Sequence, residues 1–440
     1  MTTKTSPSSY QSSTPRLVTL SGADSFFIML DKNNEKLQRG HNVLRICLFF
    51  DTAADANSLV DRLRESKVVY WMCNIRLIHE RTLFCKPKWL FTDNQKMLEC
   101  TVHHAEHEGL IPEHIINTPL NTESGEWVTC DKIHYTSGKC AVVFSWHHAI
   151  MDGRGSGVLL ESILKNDNIS EHIFPTKERE PNLYQYIRNM YRVKDFIQNS
   201  LMPPLATLTD WKSKAVQSIP FSHFYTNSFS LEDTKKIDEK ALQAGARFGA
   251  GHFLLASCAM AYHTLRKKRN DKGVLWIPVP YDGRKRGSKG PVISNHIAFL
   301  FYRLHNNDLS SLNNCVASIK EQMIHQIKED IPKKYDRLLG LMRYFPLWLY
   351  RSLTIRSSKG SVASFLFSSA GEDRWDMNNL TLSTVKKIQL IPPSTVPPGL
   401  TFSFLRNNNQ LTMNILWSEA IFNEEEFAEL KNELLNYLLG

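Results

Sequence analysis

The segment Lys139 to Gly157 constrains this chain more tightly than any other. It opens with KCAVVFSW, a short run rich in β-branched and aromatic residues, bounded upstream by Ser137-Gly138 and downstream by Asp152-Gly153. That pattern predicts a buried strand ending at His147-His148. Gly153, Gly155 and Gly157 then predict a turn, and Val158 to Leu164 a helix beneath it. Side chains alternate faces along a strand, so His147 and His148 cannot both look into one cavity; one is free for chemistry while the other packs.

Imidazole has an ordinary pKa of about 6.5, so at neutral pH it is mostly uncharged and able to take a proton from an alcohol or amine. An arbitrary histidine pair near a glycine turn is more often a surface or core pair. Here the fixed interval to Asp152-Gly153 singles it out. A buried aspartate at the foot of such a turn needs a cationic partner, and a guanidinium can satisfy both of its oxygens at once.

The full spacing, His-His-x-x-x-Asp-Gly, resembles the active-site motif of the CoA-dependent acyltransferase superfamily. That group includes chloramphenicol acetyltransferase, plant hydroxycinnamoyl-type transferases, peptide-synthetase condensation domains and bacterial wax ester synthase/diacylglycerol acyltransferases. The resemblance implies that His148 is the general base and Asp152 structural, with His147 and Gly153 completing the motif. The wax ester synthase/diacylglycerol acyltransferase branch is the most similar. Leu20-Ser21-Gly22-Ala23-Asp24-Ser25-Phe26-Phe27 with His41 is like its opening pattern, and Pro119-Leu120 with Trp127 is like the approach to its catalytic strand. Phe253 to Lys267, Val274 to Pro280 and Tyr281-Asp282-Gly283-Arg284 resemble its later helix, strand and arginine. Arg284 is therefore the expected partner of Asp152. Asn295 matches a recurrent Gly-Asn position, with Ser294 in place of the glycine. Ser368 or Ser369, on an expected strand Val362 to Phe367 and its following turn, is the oxyanion donor that the resemblance implies. Two departures concern the acceptor: Gly251-His252 stands where the family carries Asn-Asp, and Ser368-Ser369-Ala370-Gly371 only partly matches its Ser-Asn-x-x-Gly-Pro.

The implied fold is α/β, an α+β sandwich: two chloramphenicol acetyltransferase-like domains joined by a crossover, with the active site at their interface. The divisions expected are a flexible tail over 1–15, an N-terminal domain over 16–170, a linker over 171–215 and a C-terminal domain over 216–440. The residues agree. At 440 residues the chain exceeds what one core usually supports. Val43 to Phe50, Ala53 to Ser66 and Val68 to His79 alternate strand-like, helix-like and strand-like runs. Later runs predict helices over Leu231 to Ala244 and Ser311 to Glu329, the latter with a stripe of Leu312, Val316, Ile319, Met323 and Ile327. A strand over His296 to Leu304, a hairpin around Asn407-Asn408-Asn409 and a last helix begun by Asn423 with Glu426 close the chain.

The expected reaction moves an acyl group from acyl-CoA, a co-substrate, to a hydroxyl acceptor such as a fatty alcohol or diacylglycerol. The alternative is a condensation-type enzyme with a carrier-protein-bound donor and an amine acceptor. No metal or prosthetic group is expected. His103, His104 and His107 with Glu106 lack a matching ligand pair and predict a polar helix or loop face. Gly153 to Gly157 lacks the spacing of a dinucleotide loop and the Lys-Ser/Thr of a P-loop, and no Gly-x-Ser-x-Gly elbow occurs. The net charge of +9 suits acyl-CoA or an anionic membrane and does not by itself indicate nucleic acid. The solvated basic loop Lys285, Arg286 and Lys289 is a secondary candidate for such phosphates. Residues 333–359 combine basic and aromatic residues around Pro346. They can form a peripheral membrane or lipid-droplet contact, or line a greasy channel; helix packing explains the same pattern. No run of eighteen apolar residues is present and the first fifteen residues lack a secretion-signal core. Eight scattered cysteines favour a reducing cytoplasm.

Overall fold

The computed structural model describes residues 15–37, 39–78, 87–165, 173–175, 184–185, 188, 191, 221–247, 249–284, 290–355, 362–370, 384–407 and 409–440. Most of the expected linker and of the N-terminal tail lies outside these residues, as do Lys285, Arg286, Lys289 and the end of the 333–359 stretch.

Two sheets organise the chain. The first has five strands in the order Val385–Ile391, Val43–Phe50, Cys140–His147, Val128–Tyr135 and Cys100–Ala105. Its centre is the predicted strand, shifted by one residue, and every one of its residues is buried. The two-residue period explains why. Cys140, Val142, Phe144 and Trp146 enter the main N-terminal core, while Ala141 and Val143 enter a smaller cluster on the opposite face. The second sheet runs Leu366–Ala370, Leu400–Asn407, Gln410–Ser418 and Ser222–Ser228, over a core that takes in helices Gly251–Lys268 and Glu424–Leu439. The last helix starts at a capping box of Asn423 and Glu426, as read from sequence.

The halves interlock. Strand Val385–Ile391, late in the chain, pairs antiparallel with Val43–Phe50 in the first sheet. Residues of helices Ile331–Met342 and Leu347–Ile355 join the N-terminal core, where Tyr335, Leu339 and Tyr350 are grouped with residues of helix Gly22–Leu37. The paired strands Leu275–Asp282 and Ile297–Leu304 form a two-stranded ribbon.

Four expectations are corrected. The first half of the run Val68 to His79, read as a strand, is helical: Ser66 caps helix Lys67–Cys73 by accepting from Val69 N–H, and among the described residues of the run only Ile75–Ile78 is extended. Nearly all of this helix is buried, so it lacks the polar face that would have betrayed its period. The glycines after Asp152 do not form a turn: the helix begins at Gly153 and runs to Lys165. A Cβ on Gly155 would stand 2.5 Å from the Val292 carbonyl oxygen, so the glycine answers a close approach. In helix Leu312–Lys328, Cys315 and Gln326 are buried while Ile327 is 48% exposed, so the apolar stripe ends a turn early. His103 and His104, read as a helix or loop face, lie instead on strand Cys100–Ala105 at the sheet edge, where His103 bonds Asp131 and His114.

Candidate active site

His147 is the last residue of the central strand and His148 the first beyond it. His147 is turned away from the cavity: its Nδ1 accepts from Ala149 N–H and its Nε2 lies 3.2 Å from Asp31 Oδ2. Burial raises the Asp31 carboxyl, but the neighbouring imidazole of His147 and a hydrogen bond from Asn42 N–H outweigh it and hold the pKa below the usual range. His147 therefore anchors the strand end to helix Gly22–Leu37.

His148 is held from three sides. Its backbone N–H donates to Asn42 O at 2.9 Å, its ring stacks on Phe27 with centroids 3.7 Å apart, and its Nδ1 meets Asn295 Oδ1 at 3.1 Å. The Asn295 amide is oriented by its other contacts, because Nδ2 donates both to Asp24 Oδ1 at 2.9 Å and to the His148 carbonyl at 2.7 Å. The amide oxygen must then face His148, so Nδ1 carries the proton and Nε2 is the basic nitrogen. Burial lowers the His148 pKa to about 4, against weaker support from its hydrogen bonds and Asp152, so the ring is an uncharged base at neutral pH.

Asp24 ends this chain of contacts. It accepts four hydrogen bonds, from Ser21 N, Ser294 Oγ, Asn295 N and Asn295 Nδ2, which offset in part the rise that burial imposes on its pKa. Ser294, where the resemblance expects glycine, has φ of 99°, a region that favours glycine; its hydroxyl bond to Asp24 is what the serine contributes there.

Asp152 and Arg284 form a bidentate ion pair across the halves. Arg284 NH1 donates to Oδ2 at 2.8 Å and NH2 to Oδ1 at 3.1 Å, with both side chains 2% exposed. Asp152 also accepts from Gly155 N–H at 2.8 Å, at the start of the helix, and from His296 N–H at 2.9 Å. One carboxylate thus fixes the turn that carries His148, starts the following helix and ties both to the second half.

His148, Asp152, Gly153 and Arg284 line a cavity of about 800 Å³ whose wall is otherwise largely apolar, with Phe26, Leu44, Trp276, Phe299, Phe301 and Met342 among its residues. Strand Leu366–Ala370 lies later than expected, so Ser368 and Ser369 are both within it. Ser368 lines the cavity and Ser369 is not among the lining residues. Ser368 pairs in register with Ser403 on the adjacent strand, which also lines the cavity and whose buried hydroxyl has no partner among the described residues. Tyr350, 1% exposed, is a second lining residue whose buried hydroxyl has no partner among the described residues. Sequence reasoning missed Asp24, Asn42 and Phe27 as supports of His148. Asp24 and Phe27 stood within the quoted opening pattern, but nothing in the letters linked that pattern to Asn295.

A scan of protein-family models and a search of curated proteins each find no match. Solved structures do match in fold. The first condensation domain of the CDA synthetase aligns at 14% identity over 96% of this chain and 95% of its own, with a TM-score of 0.64. TRI3 trichothecene 15-O-acetyltransferase from Fusarium sporotrichioides aligns at 14% identity over 97% and 96%, TM-score 0.64. The condensation domain of the Monacolin K polyketide synthase MokA aligns at 11% identity over 96% of both, TM-score 0.60. The chain accordingly has the mixed α/β, two-domain fold of condensation and acetyltransferase structures.

Proposed function

We propose that this chain is an acyltransferase that moves an acyl group from acyl-CoA to the hydroxyl of an apolar acceptor, a fatty alcohol, diacylglycerol or similar lipid. The observation that carries the reading is an uncharged His148, its Nδ1 proton tied to Asn295, on the wall of a large apolar cavity. Nε2 takes the acceptor proton as the acceptor oxygen attacks the thioester carbonyl. The oxyanion so formed accepts a hydrogen bond from Ser368, collapses, and expels the thiolate, which recovers the proton from the imidazolium. Asp152 and Arg284 hold the turn and touch no reacting atom. The domain divisions given above, the wax ester synthase-like specificity and the lipid acceptor are part of this proposal.

The apolar wall supports a lipid substrate. So does helix Leu347–Ile355, where Trp348 is 71% and Leu353 59% exposed and Leu353 also lines the cavity. We include in the proposal a peripheral lipid contact through this stretch. Among the described residues no helix is long and apolar enough to cross a membrane.

A second reading keeps the base and replaces CoA by a carrier-bound donor and the alcohol by an amine. It is favoured by the condensation domains among the structural matches. The test is thiol release from acyl-CoAs of short to long chain and from an acyl-phosphopantetheinyl carrier, with and without fatty alcohols, diacylglycerol or simple amines. Release that requires an alcohol supports the first reading. Release only from an acyl-phosphopantetheinyl carrier with an amine supports the second.

A further inference from the structure

We propose that Cys100 and Cys130 form an oxidant-reactive dithiol: Cys100 meets a hydroperoxide in a surface pocket, and Cys130 resolves it to an intramolecular disulfide. The inference is independent of the acyltransferase reading. Strand Cys100–Ala105 runs parallel to Val128–Tyr135 at the edge of the first sheet, with Cys100 and Cys130 register partners. Neighbouring strands lie about 4.8 Å apart, inside the roughly 4.4–6.8 Å between Cα atoms that a disulfide spans. Partners in register also project to the same face of the sheet.

The surroundings differ for the two thiols. Cys130 is 1% exposed, whereas Cys100 is half-buried and opens into a pocket of about 330 Å³ lined also by Asp61, Arg64 and Lys132. A hydrogen bond from the Cys130 thiol lowers the Cys100 pKa; burial opposes this, while Arg64 and Lys132 add to it. Cys130 is pushed well above its ordinary value by the same contact and by burial. The other described cysteines whose titration is shifted, Cys47, Cys73, Cys140, Cys258 and Cys315, are all shifted upward, chiefly by burial. An accessible thiol biased toward thiolate beside a resolving thiol is the arrangement of a peroxide-reactive cysteine.

The chemistry balances. The Cys100 thiolate attacks one peroxide oxygen, the O–O bond breaks, and hydroxide leaves with the second oxygen, giving a sulfenic acid. The Cys130 sulfur then attacks that sulfenic sulfur; the S–S bond forms, the S–O bond breaks, and water leaves. Two thiols lose two electrons and one hydrogen peroxide becomes two waters.

The test treats the full chain with stoichiometric hydrogen peroxide, blocks remaining thiols with N-ethylmaleimide and maps the peptides. The expected result is a Cys100–Cys130 linked peptide with the other cysteines alkylated. In Cys130→Ser, dimedone should trap a sulfenic acid at Cys100; in Cys100→Ser, Cys130 should stay reduced at the same peroxide dose. Recovery of both residues as alkylated thiols in the wild-type chain overturns the proposal, as does oxidation of Cys100 only in an intermolecular disulfide.

Discussion

Replacing Asp152 by alanine removes the carboxylate that four donors converge on: two from Arg284 and one each from Gly155 and His296. Arg284 would be left 2% exposed without its main counter-charge. Breaking a buried ion pair from one side costs about 3–5 kcal/mol. Losing the bond to Gly155 N–H at the helix start adds roughly 1 kcal/mol, the typical effect of a lost cap. The expected destabilisation is therefore about 4–6 kcal/mol, a large fraction of the roughly 5–15 kcal/mol of a typical domain. Urea unfolding followed by tryptophan fluorescence reads it, with Asp152→Ala, Arg284→Ala and the double variant completing a cycle. The double variant should lose less than the sum of the singles, because the second change removes the charge stranded by the first. A single Asp152→Ala variant within about 1 kcal/mol of wild type would refute the reasoning, since that is the range of an exposed pair.

Other consequences are open to direct measurement. Tyr350→Phe removes a buried hydroxyl that has no partner among the described residues, so the ligand-free protein should melt no lower than wild type, and a clear fall in Tm would show that the fold uses the hydroxyl. At position 294, Ala keeps the positive-φ strain and loses the bond to Asp24 whereas Gly loses only the bond; Ser294→Gly should exceed Ser294→Ala in stability by about 1 kcal/mol, and the reverse order in denaturant melts contradicts the strain argument. His148 has a folded pKa of about 4 against an unfolded value near 6.5, so the unfolded chain binds the extra proton between them. Its contribution is present above pH 6.5 and lost as pH falls toward 4, and catalysis should show an acidic limb near pH 4; a limb near 6.5 would place the base in water. His223 has the opposite sign: burial opposes it, but bonds to Glu419 and Glu113 raise its pKa, so its contribution is present below about 6.5 and lost as pH rises through the raised value, which His223→Gln should abolish in a Tm-against-pH series.

The central strand and its histidines were legible in the sequence because the apolar run is short and ends abruptly at glycines, which leaves little but a strand and a tight bend. The same simplicity misled nearby. Lys67–Cys73 is β-branched and aromatic, yet the local cap at Ser66 and burial on nearly all sides make it helical, a tertiary outcome that its residues do not signal. Gly153–Gly157 satisfies a helix start packed against Val292, information held by a residue more than a hundred positions away. Burial of a carboxylate demands a guanidinium, and the family resemblance pointed to Arg284 as the one, whereas the Asp24, Asn295 and His148 relay joins three separate segments and exists only once the halves interlock. Strand Val385–Ile391 crossing into the first sheet is likewise a topological fact.

The most direct test is single-turnover acyl transfer from a long-chain acyl-CoA to a fatty alcohol, comparing the wild-type chain with His148→Ala and matching their melting curves first. Removal of a general base typically costs 10²–10⁴-fold, so transfer should fall by about that factor in a variant that stays folded. Transfer at the wild-type rate in folded His148→Ala would contradict the assignment of His148 as the base.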